Sequence, residues 1–595
     1  MRKTLCVFFG ILSAALAQQT KRVDQNALKN AAKNGDEWVT YGRDYAETHY
    51  SPLKQIDPTN VSRLGLAWSW ETGSPSGGRV EGTPLFSNGV LYGSLAWDVL
   101  FAVDARTGKM KWKYDPDIPR QHISQVCCGP VNRGVALYNG KVYAGLLDGR
   151  LIALDQETGK KLWEVQTLID PGAIITGAVR VVKGKVIVGN SGAEQAVRGY
   201  FTAYDAETGK MAWRFYTVPG DPSKPFEHPE LAMAAKTWTG EWWKYGGGGT
   251  TWDAMAYDPD ADILYVGTGN GGPWTQVYRS PGGGDNLFLA SVVAVKPETG
   301  KMVWHFQETP GDDWDYTSVQ PIVLADLQIN GRQRKVLLHA PKNGFFYVLD
   351  RLTGEFISGE KYAKRVTWAS GLDSKGRPIE AKGNRATLTR PVLISPGPGG
   401  AHNWQPMAFS PQTGLVYIPG QESSGTYRIN PDFAYTQGIR NTGMASSLGP
   451  LRPDGNPTPI AADPKAVPPQ EPEGAEKQPK ATGGFLVAWD PVTQKERWRV
   501  TNAGGFGGGG ALATGGNLVF QGAVAYNAQT GDKLWESDLG GTNVTPISYM
   551  MDGKQYITLF ARSYPGNRLF TFVLDGKEAI PPVPNREAAT APPAH

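Results

Sequence analysis

Residues 101–112 read FAVDARTGKMKW, residues 151–163 LIALDQETGKKLW and residues 201–213 FTAYDAETGKMAW, three copies of one phrase. The phrase returns as VVAVKPETGKMVW at 292–304, LVAWDPVTQKERW at 486–498 and AVAYNAQTGDKLW at 523–535, and without its tryptophan as FYVLDRLTGEF at 346–356. Each copy reads as an alternating apolar strand, an Asp/Asn-x-x-Thr-Gly turn and a second strand carrying Trp. In the turn, Asp or Asn bonds its own backbone and Gly supplies a positive φ. Further strands lie between the copies, among them GVLYGS, KVYAGL, KVIVGN, ILYVGTG, LVYIPG and NLVFQG. Four strands repeated every ~40–50 residues describe a β-propeller. Trp112 and Trp163 are 51 residues apart and Trp163 and Trp213 are 50 apart. Six to eight blades therefore fit the length, and the expected fold is an all-β, eight-bladed propeller with tryptophan-docking repeats and elaborated loops at 219–245, 274–286 and 448–480. The spacing fails once. Trp498 and Trp535 are only 37 residues apart and VFQG runs straight into AVAYN, so a hairpin is expected to be missing near Gly522.

Composition agrees with many short strands: Gly 74, Trp 19 and 11% aromatics in 595 residues, with 19% charged. The N-terminus has a basic start at Arg2 and Lys3, an apolar run over 5–16 and the small-residue ending Ala15-Leu16-Ala17. This pattern predicts a signal peptide over 1–17, removed by cleavage near Ala17. The apolar run is too short to span a bilayer, and no later stretch approaches the ~20 apolar residues that a span needs. Cleavage would remove Cys6, leaving Cys127 and Cys128, and losing Arg2 and Lys3 takes the formal charge from +4 to +2. Such a balance gives no reason to invoke nucleic acid or an anionic membrane. Export also implies an oxidising compartment in which a disulfide persists.

Several familiar motifs are empty here. GTGNGG at 267–272 fits G-x-G-x-x-G, yet Pro273-Trp274 follows where a helix is required. No Cys-x-x-Cys-His, zinc spacing, phosphate loop or nucleophile elbow occurs. What remains is chemically pointed. Cys127 and Cys128 are adjacent, their Cα atoms ~3.8 Å apart, below the usual range for a disulfide; closing that ring would strain the backbone, as functional sites do. Glu194, Asn270 and Asp315 each follow a strand in a different repeat, and carboxylate, amide and carboxylate are ligands for a hard cation such as Ca²⁺. Taken singly, each also reads as a turn or capping residue. Arg133 and Lys342 are cations beside predicted strands, with a surface ion pair as the plain alternative. Trp252, next to glycines that let a backbone approach a flat ligand, reads equally as core.

Together these residues resemble a type I pyrroloquinoline quinone (PQQ)-dependent alcohol dehydrogenase, a family related to periplasmic methanol and ethanol dehydrogenases. The resemblance covers residues 36–575 and rests on Cys-Cys followed by VNRG, SGAE-x-x-VRGY, the GTGN turn, TPGDDWDY and the tryptophan repeat. It implies an eight-bladed propeller over 36–575, a Pro/Ala-rich tail over 576–595 and PQQ near the axis. It further implies a Cys127–Cys128 disulfide stacked on one face of PQQ and Trp252 on the other. Glu194, Asn270 and Asp315 would ligate Ca²⁺, and Glu81, Arg133, Thr176, Ser191, Gly192 and Ala193 would hold the quinone periphery. Asp315 would be the general base. Lys342 would sit near the reactive carbonyl, where methanol dehydrogenases typically have Arg, which favours the ethanol-type branch. Lanthanide-dependent relatives carry Asp two residues after the catalytic one; this chain has Thr317, which favours calcium.

The implied function is oxidation of a small alcohol to an aldehyde in the periplasm, by hydride transfer to Ca²⁺-bound PQQ. A short tail stands where quinohaemoprotein relatives append a cytochrome domain, so a separate cytochrome c is the expected acceptor. A homodimer is compatible with the chain; nucleic acid and, after cleavage, a transmembrane segment are not expected. The rival readings are a PQQ enzyme for sugars or polymeric alcohols and a non-catalytic propeller scaffold of the cell envelope, which would need neither the Cys pair nor the Glu/Asn/Asp set.

Overall fold

The computed structural model describes residues 22–73, 79–120, 129–195, 197–436, 440–445, 448–451, 457–459, 467–480, 482–502, 509–539, 544–563 and 566–582. The leader at 1–17, Cys127 and Cys128, and 583–595 of the tail lie outside the described residues. Eight antiparallel sheets follow one another around a common axis. Seven run in chain order, from Leu85–Ser87 to Met110–Tyr114, Ala136–Tyr138 to Lys161–Gln166, Arg180–Val182 to Met211–Tyr216, Met255–Asp258 to Met302–Gln307, Ile322–Ile329 to Phe356–Lys361, Ala408–Ser410 to Lys495–Asn502 and Ala511–Thr514 to Lys533–Glu536. The eighth takes Ile547–Met551, Lys554–Ser563 and Gly566–Leu574 from one end of the propeller and its outer strand, Leu64–Glu71, from the other. This pairing closes the ring. No helix among the described residues is long and apolar enough to cross a membrane.

The repeated phrase explains how blades adhere. The tryptophans lie on the outer strand of one blade and dock on the turn of the next, except Trp535, whose Nε1 donates to Leu64 O at the start of the closing strand. Trp68 Nε1 donates to Ala105 O at 2.8 Å, Trp112 to Gln156 O at 3.0 Å, Trp213 to Pro297 O at 2.9 Å, Trp304 to Arg351 O at 3.1 Å and Trp498 to Ala528 O at 3.1 Å. The turn glycine has two duties. Gly159 has φ +70°, and a Cβ there would lie 2.7 Å from the Trp112 ring; Gly108 against Trp68 and Gly300 against Trp213 leave 2.6 Å. Left-handed backbone and lack of a side chain are thus both required at one position.

The two irregular copies are neighbours, and each accounts for the other. The fifth blade has Phe356 in place of Trp, and the sixth has Gln494 in place of the turn Gly. With no indole arriving, Gln494 keeps the positive φ, +55°, and bonds Ser358 Oγ and Pro491 O instead. Phe356 packs on Gly376, in the inserted hairpin Ala369–Leu372 and Pro378–Glu380.

The expectation of a missing hairpin near Gly522 is wrong. The seventh blade has all four strands, Ala511–Thr514, Leu518–Gln521, Val524–Asn527 and Lys533–Glu536. It is short because Gln521 pairs directly with Val524 across a two-residue turn, Gly522-Ala523, with Gly522 at φ +55°. Its inner edge gains a parallel strand, Tyr50–Ser51.

Candidate functional site

Three loops, following Lys185–Gly189, preceding Met255–Asp258 and following Ile263–Gly267, are laced together through glycine backbone. Gly247–Gly248 pairs with Gly271–Gly272, and Arg198 bridges to Gly248. Gly249 N donates to Asn270 O at 2.8 Å. A Cβ on Gly248 would meet Asn270 O at 2.4 Å, and one on Gly272 would meet Ala193 O at 2.4 Å. YGGGGTTW, SGAE and GTGNGG are therefore one construction: no side chain fits between them, so Glu194, Asn270 and Trp252 are brought together.

Asp315 arrives from the next connection. Its backbone is left-handed, φ +64°, a conformation that costs an aspartate on the order of 1 kcal/mol. Lys342 Nζ holds it there, donating to Asp315 O at 2.9 Å and Oδ2 at 3.0 Å. Both side chains are buried. Burial pushes the Asp315 carboxyl up to about 7, against the opposing pull of Lys342 and with a further upward push from Glu194.

Asp312 fixes Asp315 relative to Asn270. Its Oδ1 accepts from Trp314 N at 3.1 Å and Tyr316 N at 2.9 Å, on either side of Asp315, and its Oδ2 accepts from Gly271 N at 3.3 Å. Buried Arg279, lowered to about 10 by burial, donates to the carbonyls of Pro273, Trp274 and Asp312. Thr317 turns aside: its hydroxyl shares hydrogen bonds with Gln320.

The other expected residues form an adjoining polar arc. Arg133 pairs with Glu81 at 2.8 Å and donates to Thr176 Oγ1 at 2.9 Å, which lies 2.9 Å from Ser191 Oγ. Its guanidinium is 4.8 Å from the Trp252 ring and 5.8 Å from Trp404. Gly192 has φ +109°, and a Cβ there would lie 2.7 Å from Gly172 O; Ala193 is buried. Every expected residue that is described thus falls in one of two touching groups, while Cys127 and Cys128 lie outside the described residues.

Sequence reasoning missed Trp404, Asp312, Arg279 and Asp253. Asp253 is buried 3.9 Å from Arg133, and burial pushes it up to about 6 although Arg133 and Arg180 pull it down. It was legible only as the neighbour of Trp252. Residues 440–445, likewise unread, lie against the site: Asn441 N donates to Glu194 O, and Trp274 N donates to Thr442 O at 2.9 Å.

The donor set suits a hard cation and a flat polyanion. Half-buried Glu194 acts electrostatically on buried Asp315, so two carboxylates share the place with one ammonium, and an oxygen-loving cation would relieve that excess. Among the described residues no three His, Cys, Asp or Glu side chains are placed to hold a metal ion, which leaves the third donor to the Asn270 amide. Arg133, Thr176 and Ser191 present donors suited to carboxylate groups beside the Trp252 face.

The family model for PQQ glucose/ethanol/alcohol dehydrogenase, β-propeller domain, matches residues 38–362 and 378–557. Quinohemoprotein alcohol dehydrogenase ADH IIB of Pseudomonas putida is 50% identical over 598 residues, covering 96% of this chain and 82% of that protein. The crystal structure of quinohemoprotein alcohol dehydrogenase from Comamonas testosteroni superposes with a TM-score of 0.85 at 46% identity, covering 94% of this chain and 84% of that one. A europium-containing methanol dehydrogenase gives 0.80 at 32% identity, covering 92% of this chain and 100% of that one.

Proposed function

Because this chain belongs to the PQQ-dependent glucose/ethanol/alcohol dehydrogenase propellers, we propose that it oxidises alcohols to aldehydes in the periplasm, with PQQ and Ca²⁺ at the axis and a separate cytochrome c as electron acceptor. When bound, PQQ is the hydride acceptor and Ca²⁺ polarises its carbonyl. The remaining work falls to the chain. Asp315 takes the hydroxyl proton of the alcohol at a carboxylate oxygen. Lys342 orients that carboxylate and keeps a positive charge where oxyanion charge develops. Glu194, Asn270 and Asp315 supply oxygen donors to the cation. Arg133, Thr176, Ser191 and Glu81 orient the carboxylates of the cofactor, with Gly192 and Ala193 leaving backbone room. Trp252 offers one flat face; Cys127 and Cys128, joined in a ring, offer the other. Asn441 and Thr442, bonded to Glu194 and Trp274, keep bulk water from the Glu194 side.

The observation that carries this reading is the buried Asp315–Lys342 pair held in strained backbone opposite Glu194 and Asn270. Thr317 favours Ca²⁺ over a lanthanide, because a hydroxyl engaged with Gln320 adds no charge for a trivalent ion. The three cysteines, at 6, 127 and 128, form no Cys-x-x-Cys-His, so the haem that takes the electrons is outside these residues. The leader pattern at 1–17 supports export. The test is reconstitution of the apoprotein with PQQ and either Ca²⁺ or La³⁺, followed by a panel of alcohols and sugars with a dye acceptor. Turnover of alcohols with Ca²⁺ is expected. Turnover only with La³⁺ overturns the metal assignment, and turnover of sugars alone overturns the substrate.

A further inference from the structure

Trp97 and Asp98 are consecutive left-handed residues, φ +62° and +57°, and neither is glycine. Such backbone is unfavourable for any residue with a side chain, and a pair persists only where surrounding contacts over-determine it. Here the contacts converge on one short segment. Trp97 N donates to Pro130 O at 3.0 Å. Asp98, fully buried, accepts from Asn132 Nδ2 at 2.9 Å through Oδ1 and from Leu147 N at 2.6 Å through Oδ2. Asn132 is then saturated: Nδ2 also donates to Gly145 O at 2.9 Å, Oδ1 accepts from Gly134 N at 3.0 Å, and its carbonyl accepts from Ser94 Oγ at 3.3 Å.

The next residue is Arg133. Its backbone N donates to Thr176 O at 3.1 Å and its carbonyl accepts from Thr83 N at 3.3 Å, while its guanidinium reaches Glu81, Thr176 and the Trp252 face. Nothing in the repeat demands a carboxylate at position 98. Two N–H donors aimed at one side chain do, because only an acceptor-only group satisfies both.

We propose that Asp98 is a positioning residue for the cofactor end of the site: by locking Asn132 between the first and second blades it sets where the Arg133 guanidinium stands. This rests on the PQQ reading given above. An amide at position 98 keeps the shape but turns an N–H toward one of the two donors. The buried group so left unsatisfied would loosen Asn132 and disperse Arg133 among orientations that do not meet a carboxylate. Burial pushes Asp98 up to about 7, opposed by the Leu147 N–H and the Asn132 amide; Asp148 and Arg150 are the charged groups facing it. A purely structural role would weaken the variant equally at all pH values, whereas positioning by the ionised carboxylate acts only above that value.

The experiment titrates apoprotein with PQQ at saturating Ca²⁺, follows tryptophan fluorescence and repeats the titration from pH 6 to 8.5. For Asp98→Asn the PQQ dissociation constant should rise about tenfold at pH 8, and the ratio to wild type should narrow toward pH 6. Ser94→Ala, which removes one bond to the Asn132 carbonyl, should raise it about twofold to threefold and decides the matter if Asp98→Asn does not fold. A dissociation constant equal to wild type at pH 8, or a ratio that does not change with pH, overturns the proposal while the PQQ reading stands. If wild type itself binds no PQQ, both fall.

Discussion

At the rim of the propeller one contact is made repeatedly: an indole from one blade seated on the turn glycine of the next, its N–H on the carbonyl three residues earlier in chain, as with Trp112 on Gly159 and Gln156. At the axis no contact is made twice. Asp312 bonds Gly271, Lys342 bonds Asp315, Arg133 pairs with Glu81, and each pair joins different blades. The rim tolerates substitution by compensation, as the Phe356 and Gln494 copies do together. The axis offers no second copy to lean on, so each side chain there is answerable alone.

The largest effect that would sharpen this contrast is at Asp315. Asp315→Asn should lower kcat by about 10²- to 10⁴-fold, the usual worth of a positioned base, while melting of the apoprotein stays near wild type because the amide still accepts from Lys342. Stopped-flow dye reduction measures the first and calorimetry the second; near-normal kcat would remove Asp315 from the chemistry. At the rim, Gly159→Ala puts a Cβ 2.7 Å from the Trp112 ring at φ +70° and should destabilise the fold by about 2–4 kcal/mol. PQQ affinity well below the melting temperature should be unchanged; if it collapses too, rim and axis are not separable.

A pH effect belongs to neither region alone. His49 is fully buried between Trp38 and Tyr41, and burial, reinforced by Arg180, lowers it to about 3. A depressed histidine contributes stability that is whole above its unfolded value, about 6.5, and is lost as pH falls toward the folded value. Between pH 6.5 and 5 the loss should reach about 2 kcal/mol, and His49→Phe should flatten the slope of melting temperature against pH over that window. An unchanged slope would acquit His49. The smallest effect is expected at Gln494→Gly. Relief of its φ of +55° and loss of its bonds to Ser358 and Pro491 oppose each other, so stability should move by less than about 1 kcal/mol. A change as large as that at Gly159 would mean that the two turns do the same job.

The rim was legible in the sequence because its rule is local: strand, Asx turn, glycine, tryptophan, all within thirteen residues. Glu194, Asn270 and Asp315 were legible for a related reason, since each follows a strand in its own repeat. What stayed hidden depends on pairs far apart in chain. Asp98 reads as one more charged residue after a strand until Asn132 and Leu147 are seen against it, and Arg279 becomes a buried hub only when the carbonyls of Pro273, Trp274 and Asp312 close on it. The pairing of Phe356 with Gln494 needed the order of blades around the ring. Gly522 misled because residue counting cannot distinguish a lost hairpin from a two-residue turn.

The pairing of Leu64–Glu71 with Gly566–Leu574 has a consequence for how the molecule comes into being. A chain still emerging from its source can stack seven blades in order, but the circle stays open until about five hundred further residues have followed the first strand. Contacts of such separation form late. Groups carried by, or leading into, the first five blades all meet at the axis, so the closure that fixes those blades also fixes the pocket. A cofactor offered to an unfinished chain would find the pieces of its cradle but no cradle, and loading is thereby tied to completion of the whole protein.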